Sequence, residues 1–434
     1  MMMVKGLIPR RSALGVLGSA VLAACQGAPA AQPPVTVGAS PTSPPQSEPA
    51  PTIVLSSENF ARWLEGVRAE AAKRGISQAT IDAALGSVQP IPRVVELDRQ
   101  QPEFSRTFTD YMNRAVTARR AATGGAMLKQ HAAVLAQTER DYDVPARFLV
   151  AFWGLETNYG GDTGSYSVIA ALATLAFDGR REALFRGELF NALTILDGKH
   201  IPPERMLGSW AGAMGHSQFM PSSFLKYGVD RDGDGRIDMW QSMPDIFGSK
   251  ANYLHSLGWD SSRTWGRAVK VPRGFDAGLS SLNLEANETV LPLSEWTKHG
   301  VTRIDGGPLP RQDVQAALIL PQGIRGPAFV VYDNYRTILR YNRSTFYAVS
   351  IGVLADQVAG GEPLQLPASS DQPLNREEMI ALQEGLISQQ FLKGKADGIL
   401  GADTRQAVRR FQRARGLPPD GYADRSLIAA VTNT

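Results

Sequence analysis

Cysteine is almost absent. Cys25 is the only one in 434 residues, which excludes an intrachain disulfide and any cysteine-based metal site. A dominant charge is missing too: 45 Lys and Arg against 42 Asp and Glu leave a net charge of +3. Without a long basic run, nucleic acid is not expected as a partner. Long apolar runs are also lacking. The stretch Ala13 to Val21 is too short to span a bilayer comfortably and has the proportions of a signal peptide. What the chain has is length, more than one core usually supports, so two folded units plus linkers are expected.

The N-terminus gives the lone cysteine a meaning. Lys5, Arg10 and Arg11 precede the apolar stretch, and Leu22-Ala23-Ala24-Cys25 follows it. This resembles a bacterial lipoprotein signal, which implies removal of the segment before Cys25 and lipidation of that residue, with a membrane as partner through the lipid. Gln26 after the cysteine implies, by analogy with Gram-negative lipoproteins, a periplasmic protein anchored to the outer membrane. More than one acyl chain suffices for stable anchoring. Uncleaved anchoring and ordinary secretion are the alternatives. Residues 26–57 are rich in Pro, Ala, Ser, Thr and Gln and cannot bury enough surface to fold, so they read as a tether.

From Glu58 the composition changes. Phe60, Trp63, Leu64, Val67 and Ala71 recur at helical spacing, and Gly75 ends the segment. Ser77 starts a second helix through Leu85. Phe104 to Arg140 reads as one or two helices broken near Gly124-Gly125. The next helix has Asp143 as its expected N-cap and Pro145 in its first turn. From Phe148 to Leu155 it is apolar on every side, so it belongs in a core. It ends on one carboxylate, Glu156. A poorly solvated glutamate favours its neutral form, which a general acid needs at neutral pH; the plainer reading is a glutamate capping a neighbour. Helical periodicity returns over 167–177, 181–196, 246–257 and 346–354. Residues 207–224 are dense in small side chains, which suits close approach of backbone to a ligand or another backbone. Residues 260–330 are richer in Val, Pro and Gly and read as a small strand-and-loop region. A linker over 361–373 separates the catalytic candidate, 58–360, from a last unit, 374–434. That unit reads as three helices, 376–390, 403–415 and 424–432, with capping-box patterns at Asn375/Glu378 and Asp403/Gln406. Its Asp397-Gly398 and Asp420-Gly421 turns suggest a weak internal duplication. The fold class is therefore mainly α, with a small strand region and a small all-α three-helix domain.

The acidic stretch Asp230-Arg231-Asp232-Gly233-Asp234-Gly235-Arg236-Ile237-Asp238 matches the start of an EF-hand. Asp230, Asp232 and Asp234 fall at positions 1, 3 and 5, the Arg236 carbonyl at position 7, and Gly235 makes the sharp turn. A structural Ca2+ is the expected cofactor, with none needed for catalysis; an acidic solvated turn is the alternative. Position 12 is Gln241 rather than a bidentate glutamate.

Three motifs occur in order: Phe152-Trp153-Gly154-Leu155-Glu156-Thr157-Asn158-Tyr159-Gly160, Gly212-Ala213-Met214-Gly215-His216-Ser217-Gln218-Phe219-Met220-Pro221-Ser222-Ser223, and Arg340-Tyr341-Asn342-Arg343-Ser344. Together they resemble the membrane-bound lytic murein transglycosylase B family over about residues 58–357. The resemblance implies a lysozyme-like α+β catalytic domain and a lyase acting on the glycan strands of peptidoglycan. It would cut the MurNAc–GlcNAc β-1,4 bond and leave 1,6-anhydromuramic acid ends, with Glu156 as acid and then base. By the same resemblance Gln218 and Ser209 would hydrogen-bond the sugar, Met214 and Phe219 would line the floor, and Tyr341, Asn342 and Tyr347 would close the site. Tyr111 and Tyr253 would flank a sugar ring, Arg180 and Arg181 would meet lactyl or peptide carboxylates, and Asp245 would complete the calcium ligands. Most glycosidases need two carboxylates, and only one motif carboxylate is present, which favours the intramolecular reaction. Residues 374–434 resemble the three-helix peptidoglycan-binding domain, which would raise the local concentration of wall through a flexible link. A lysozyme-like muramidase and a non-catalytic wall-binding lipoprotein are the alternatives.

Overall fold

The computed structural model describes residues 56–100, 106–282, 288–312, 314–366 and 372–432. The signal segment with Cys25, and the tether up to residue 55, lie outside the described residues. No described helix is long and apolar enough to cross a membrane.

The elements follow the apolar periodicity. Helices α1 (Ser57–Lys73), α2 (Gln78–Leu85) and α3 (Pro92–Gln100) open the chain. Then come α4 (Phe108–Ala115), α5 (Ala118–Gln130), α6 (Ala132–Tyr142) and α7 (Ala146–Thr157). Strand β1 (Tyr166–Ser167), helices α8 (Val168–Asp178) and α9 (Glu182–Asp197), strand β2 (Leu207–Gly208), and helices α10 (Pro221–Tyr227) and α11 (Met243–Ser256) complete the first half. The sheet region holds β3 (Gly266–Lys270), β4 (Val290–Pro292), α12 (Leu293–Lys298), β5 (Thr302–Arg303), β6 (Gln315–Ile319) and β7 (Ala328–Val331). Helices α13 (Asp333–Tyr341) and α14 (Thr345–Val358) follow, and α15 (Arg376–Ser388), α16 (Ala402–Ala414) and α17 (Arg425–Thr432) end the chain. The helical majority, with a small sheet in the order β4-β6-β7-β3-β5, is the expected class.

Among the described residues the apolar side chains gather into four cores. The first joins α1, α2, α8 and α9 with Met214, Phe219 and Phe224. The second surrounds α7 with α4, α11, α13 and α14. On β6, Ala317 and Ile319 face that second core, while Ala316 and Leu318 face a third built on Trp296. This is the two-residue alternation of a strand, here buried on both sides. The fourth core holds the C-terminal three helices together. Tyr341 packs against both the first and the second core, so the seam between them is where a site can open.

Several expectations are corrected. Asp143 does not cap α7. It ends α6 in a left-handed turn (φ 58), and Glu139 Oε2 accepts the Ala146 N–H instead (3.1 Å). Only three residues separate the two helices, so Asp143 is taken by the first. Gly124-Gly125 does not break a helix: α5 runs through both, and a Cβ on Gly124 would stand 2.5 Å from the Tyr159 hydroxyl. Residues 108–142 form three helices rather than one or two. The Asp403 pattern gives no side-chain cap, whereas Asn375 and Glu378 form the full capping box.

The duplication in the last unit has a structural basis. Gln383 donates to Asp397 Oδ1 (2.8 Å) and accepts from Gly398 N (2.7 Å). Gln412 treats Asp420 Oδ1 and Gly421 N in the same way, at 2.8 Å each. One side-chain amide thus satisfies both orphaned groups of each turn. The unit is also docked. Arg409 donates to Ser280 Oγ in a buried contact (2.9 Å), Ile324 N donates to Asp420 Oδ2 (2.9 Å), and Arg325 pairs with Asp424 (2.7 Å). Leu364 and Leu366 pack on the second core, so the expected free swing is replaced by a defined seat.

Candidate active site

Glu156 sits in the last turn of α7, after a stretch buried from Phe148 to Gly154. Three successive left-handed residues, Asn158, Tyr159 and Gly160 (φ 50, 62 and 82), turn the chain sharply away and leave the carboxyl at the seam. Tyr347 at the start of α14 donates its hydroxyl to Glu156 Oε1. Burial pushes the carboxyl up, while the Lys250 ammonium and the hydrogen bond from Tyr347 pull it down; burial wins. The C-terminal end of a helix dipole acts in the same direction as burial. No second carboxylate is among these groups. Asp162 is exposed and its Oδ1 accepts from Gly164 N within its own turn (3.3 Å).

Lys250 was not anticipated. It lies on α11 and is 3% exposed. Its Nζ donates to the Ser217 carbonyl (2.9 Å) and to Tyr341 Oη (2.6 Å), and Tyr341 in turn donates to Ser217 O (2.9 Å). The ammonium also stands over Tyr341, Phe219 and Phe152, 4.5, 5.0 and 5.4 Å from the ring centroids. Burial brings it down to about 8, with Glu156 opposing.

Around this pair the tyrosines form a continuous wall. Tyr227 stacks on Tyr253 at 4.0 Å, Tyr253 meets Tyr341 at 5.1 Å, and Tyr341 lies parallel to Tyr347 at 6.3 Å. Tyr111 packs on Phe346 (5.7 Å) and is close enough to Tyr347 to help hold that hydroxyl protonated. Met214 and Phe219 are buried and exchange two backbone hydrogen bonds, 2.8 and 3.1 Å. The small-residue loop does approach another backbone. A Cβ on Gly164, in the exit from α7, would fall 2.1 Å from the Gly208 carbonyl oxygen. Gln218 holds this junction, donating to Thr163 O (3.1 Å) and Gly215 O (3.0 Å). Ser209 Oγ accepts from Ala213 N (3.1 Å) and closes its own turn. His216 accepts from Trp153 Nε1 (3.1 Å), and burial pulls its pKa down, so it is a neutral packing group. Asn342 ends α13 with an exposed side chain.

Arg180 and Arg181 are placed otherwise than expected. Both guanidinium groups bind the carboxylate of Asp98, which is 1% exposed, so they neutralise a buried acid before any ligand arrives. In the acidic loop Asp230, Asp232 and Asp234 each offer an oxygen within 4.8 Å of the others. Asp245 stands apart from them. It is fully buried and accepts backbone N–H groups from Arg231 (2.7 Å) and Asp238 (2.8 Å), so it shapes the loop rather than joining the three carboxylates. The Arg236 side chain pairs with Asp234 (2.8 Å).

Residues 59–356 match the Transglycosylase SLT domain family. The chain belongs to that family. Residues 375–431 match a peptidoglycan binding domain. The membrane-bound lytic murein transglycosylase B of Escherichia coli (strain K12) is 31% identical over 302 residues, which cover 66% of this chain and 80% of that protein. The crystal structure of SltB3 from Pseudomonas aeruginosa in complex with NAG-anhNAM-pentapeptide is similar at a TM-score of 0.81. It has 43% identity and covers 86% of this chain and 99% of that one. The Escherichia coli lytic transglycosylase Slt35 in complex with calcium gives 0.58 at 30% identity, covering 70% and 93%. This SLT transglycosylase therefore has the lysozyme-like fold and the activity of a lytic murein transglycosylase, a peptidoglycan lyase.

Proposed function

We propose that Glu156 alone performs both proton transfers of the cleavage. Neutral Glu156 protonates the glycosidic oxygen as the C1–O4 bond between MurNAc and GlcNAc breaks. The muramic N-acetyl group and the surrounding dipoles stabilise the positive sugar. The carboxylate then takes the proton of the muramic C6 hydroxyl while that oxygen bonds to C1. A 1,6-anhydro end results, Glu156 is again protonated, and no water is consumed. The observation that carries this reading is a buried carboxyl held toward its neutral form, with tyrosines and a lysine around it but no second acid among the described residues. In this reading Tyr347 orients Glu156, Gln218 and Ser209 bond the sugar, and Met214 and Phe219 floor the cleft. Tyr111, Tyr253, Tyr341 and Asn342 contact neighbouring sugars. Mass spectrometry of digested sacculi tests it: the expected muropeptides are lighter by one water than hydrolysis products. Reducing muramic ends would instead establish a muramidase.

The acidic loop suits a hard cation, because three carboxylate oxygens converge and Gly233 and Gly235 take the left-handed turns (φ 76 and 90) that such a loop needs. Asp230, Asp232, Asp234 and the Arg236 carbonyl would hold Ca2+ and brace the entry to α11. Millimolar calcium is expected to raise the melting temperature by a few degrees relative to chelator; superimposable curves would reject the site. Cys25 in its lipoprotein-type setting supports anchoring to the outer membrane on the periplasmic side, and residues 374–434 support retention on the wall.

A further inference from the structure

Between the docked C-terminal unit and the body carrying α4 and α13 lies a cavity of about 720 Å³. Five arginines line it. Arg340 is committed to Leu257 O (2.7 Å) and Thr337 Oγ1 (2.9 Å). The guanidinium groups of Arg106, Arg336, Arg343 and Arg405 make no hydrogen bond or ion pair with any described residue. Among the described residues one lining carboxylate stands against them, Asp420. Its oxygens already accept from Gln412 Nε2, Tyr422 N and Ile324 N at 2.8 to 2.9 Å. Most surface arginines have water on all sides, but here burial holds the Arg405 guanidinium below its usual range. The N-terminal turn of α14, Ser344 to Phe346, closes the wall and adds its positive dipole end. Concave shape, unpaired planar donors and a helix start together describe a site for carboxylates.

We infer that this interdomain cavity binds the carboxylates of the short acidic peptides carried by the muramic acids of the strand being cut. The placement follows from α14, whose first turn lines the cavity while its next residue, Tyr347, holds Glu156. The inference rests on the wall-cleaving reading above and gives the C-terminal unit a second task, completing a substrate site in addition to retaining wall. It requires the docked arrangement, since Arg405 comes from α16 and Arg336 from α13.

The test compares glycan oligomers bearing their peptides with the same oligomers stripped of them, using the full-length protein and its Arg336→Gln/Arg405→Gln variant. Arg336→Gln alone keeps the test open should removal of Arg405 loosen the C-terminal unit. For peptide-bearing glycan KM is expected to rise about tenfold, the loss of roughly one charge-assisted hydrogen bond, and the salt dependence of binding should shrink. KM for stripped glycan should stay unchanged. Equal losses on both substrates, or no loss on either, would overturn the inference. So would arginine-dependent binding of inorganic phosphate or of anionic phospholipid vesicles with no preference for peptide-bearing glycan. Anhydro products from stripped glycan in every variant would leave the cleavage reading standing while the peptide site falls. Their absence from wild-type digests would remove the reading itself.

Discussion

Glu156→Gln is expected to lower the rate of murein lysis by at least about 10²–10⁴, the contribution of a positioned general acid–base, and more because one side chain serves both steps. The amide keeps an oxygen for the Tyr347 hydroxyl but can neither give nor take the proton. The same substitution should stabilise the protein at neutral pH. Burial raises the folded-state pKa of Glu156 above its unfolded value of 4.5. Its contribution to stability is therefore fully present below 4.5 and is lost as pH rises through the folded pKa. The variant escapes that loss. Unfolding curves of both proteins should nearly coincide at low pH and separate in favour of the variant as pH rises. A variant that lyses sacculi at close to the parent rate would remove Glu156 from the chemistry. One equally stable at every pH would show that the carboxyl is not held neutral.

Lys250→Met is the second substitution with a large expected effect, because it removes a buried charge beside the acid. Lys250 favours ionised Glu156 and polarises Tyr341, so its loss should carry the Glu156 pKa higher. The first step needs neutral Glu156, so the alkaline limb of the activity profile should move to higher pH. A variant merely damaged in its packing would lose rate at all pH values with the limb in place. Stability gives an independent reading. The ammonium is depressed from 10.5 to about 8, so its stabilising contribution is full above 10.5 and is lost as pH falls through 8. The difference in unfolding free energy between wild type and variant should thus rise as pH climbs from 8 toward 10.5. A difference that does not change with pH would mean an unperturbed lysine.

The site was partly legible in the chain. Glu156 stood out because an apolar stretch ends on it, and that pattern is local. Lys250 did not, since one lysine in Ile246-Phe247-Gly248-Ser249-Lys250-Ala251 reads as the solvent side of a helix. Only the approach of α7, the 217 carbonyl and Tyr341 buries it. The one signal available was that its neighbours are all apolar or small. Arg180 and Arg181 show the opposite error. Paired arginines suit ligand carboxylates, but Asp98, 82 or 83 residues away in sequence, reaches them first.

Helix periodicity, the buried character of α7, the acidic loop, the Asn375 capping box and the two Asp-Gly turns were determined by the sequence alone. Each depends on contacts a few residues apart, where spacing dictates geometry. Tertiary structure decided which charges are paired, which are buried and which are left open to a ligand. It moved Asp143 to the end of α6, kept α5 whole through Gly124, and seated the C-terminal helices to leave Arg336 and Arg405 facing one cavity. The reason is physical. Burial and long-range partners set the energy of a charge, and neither is a property of neighbouring residues in the chain.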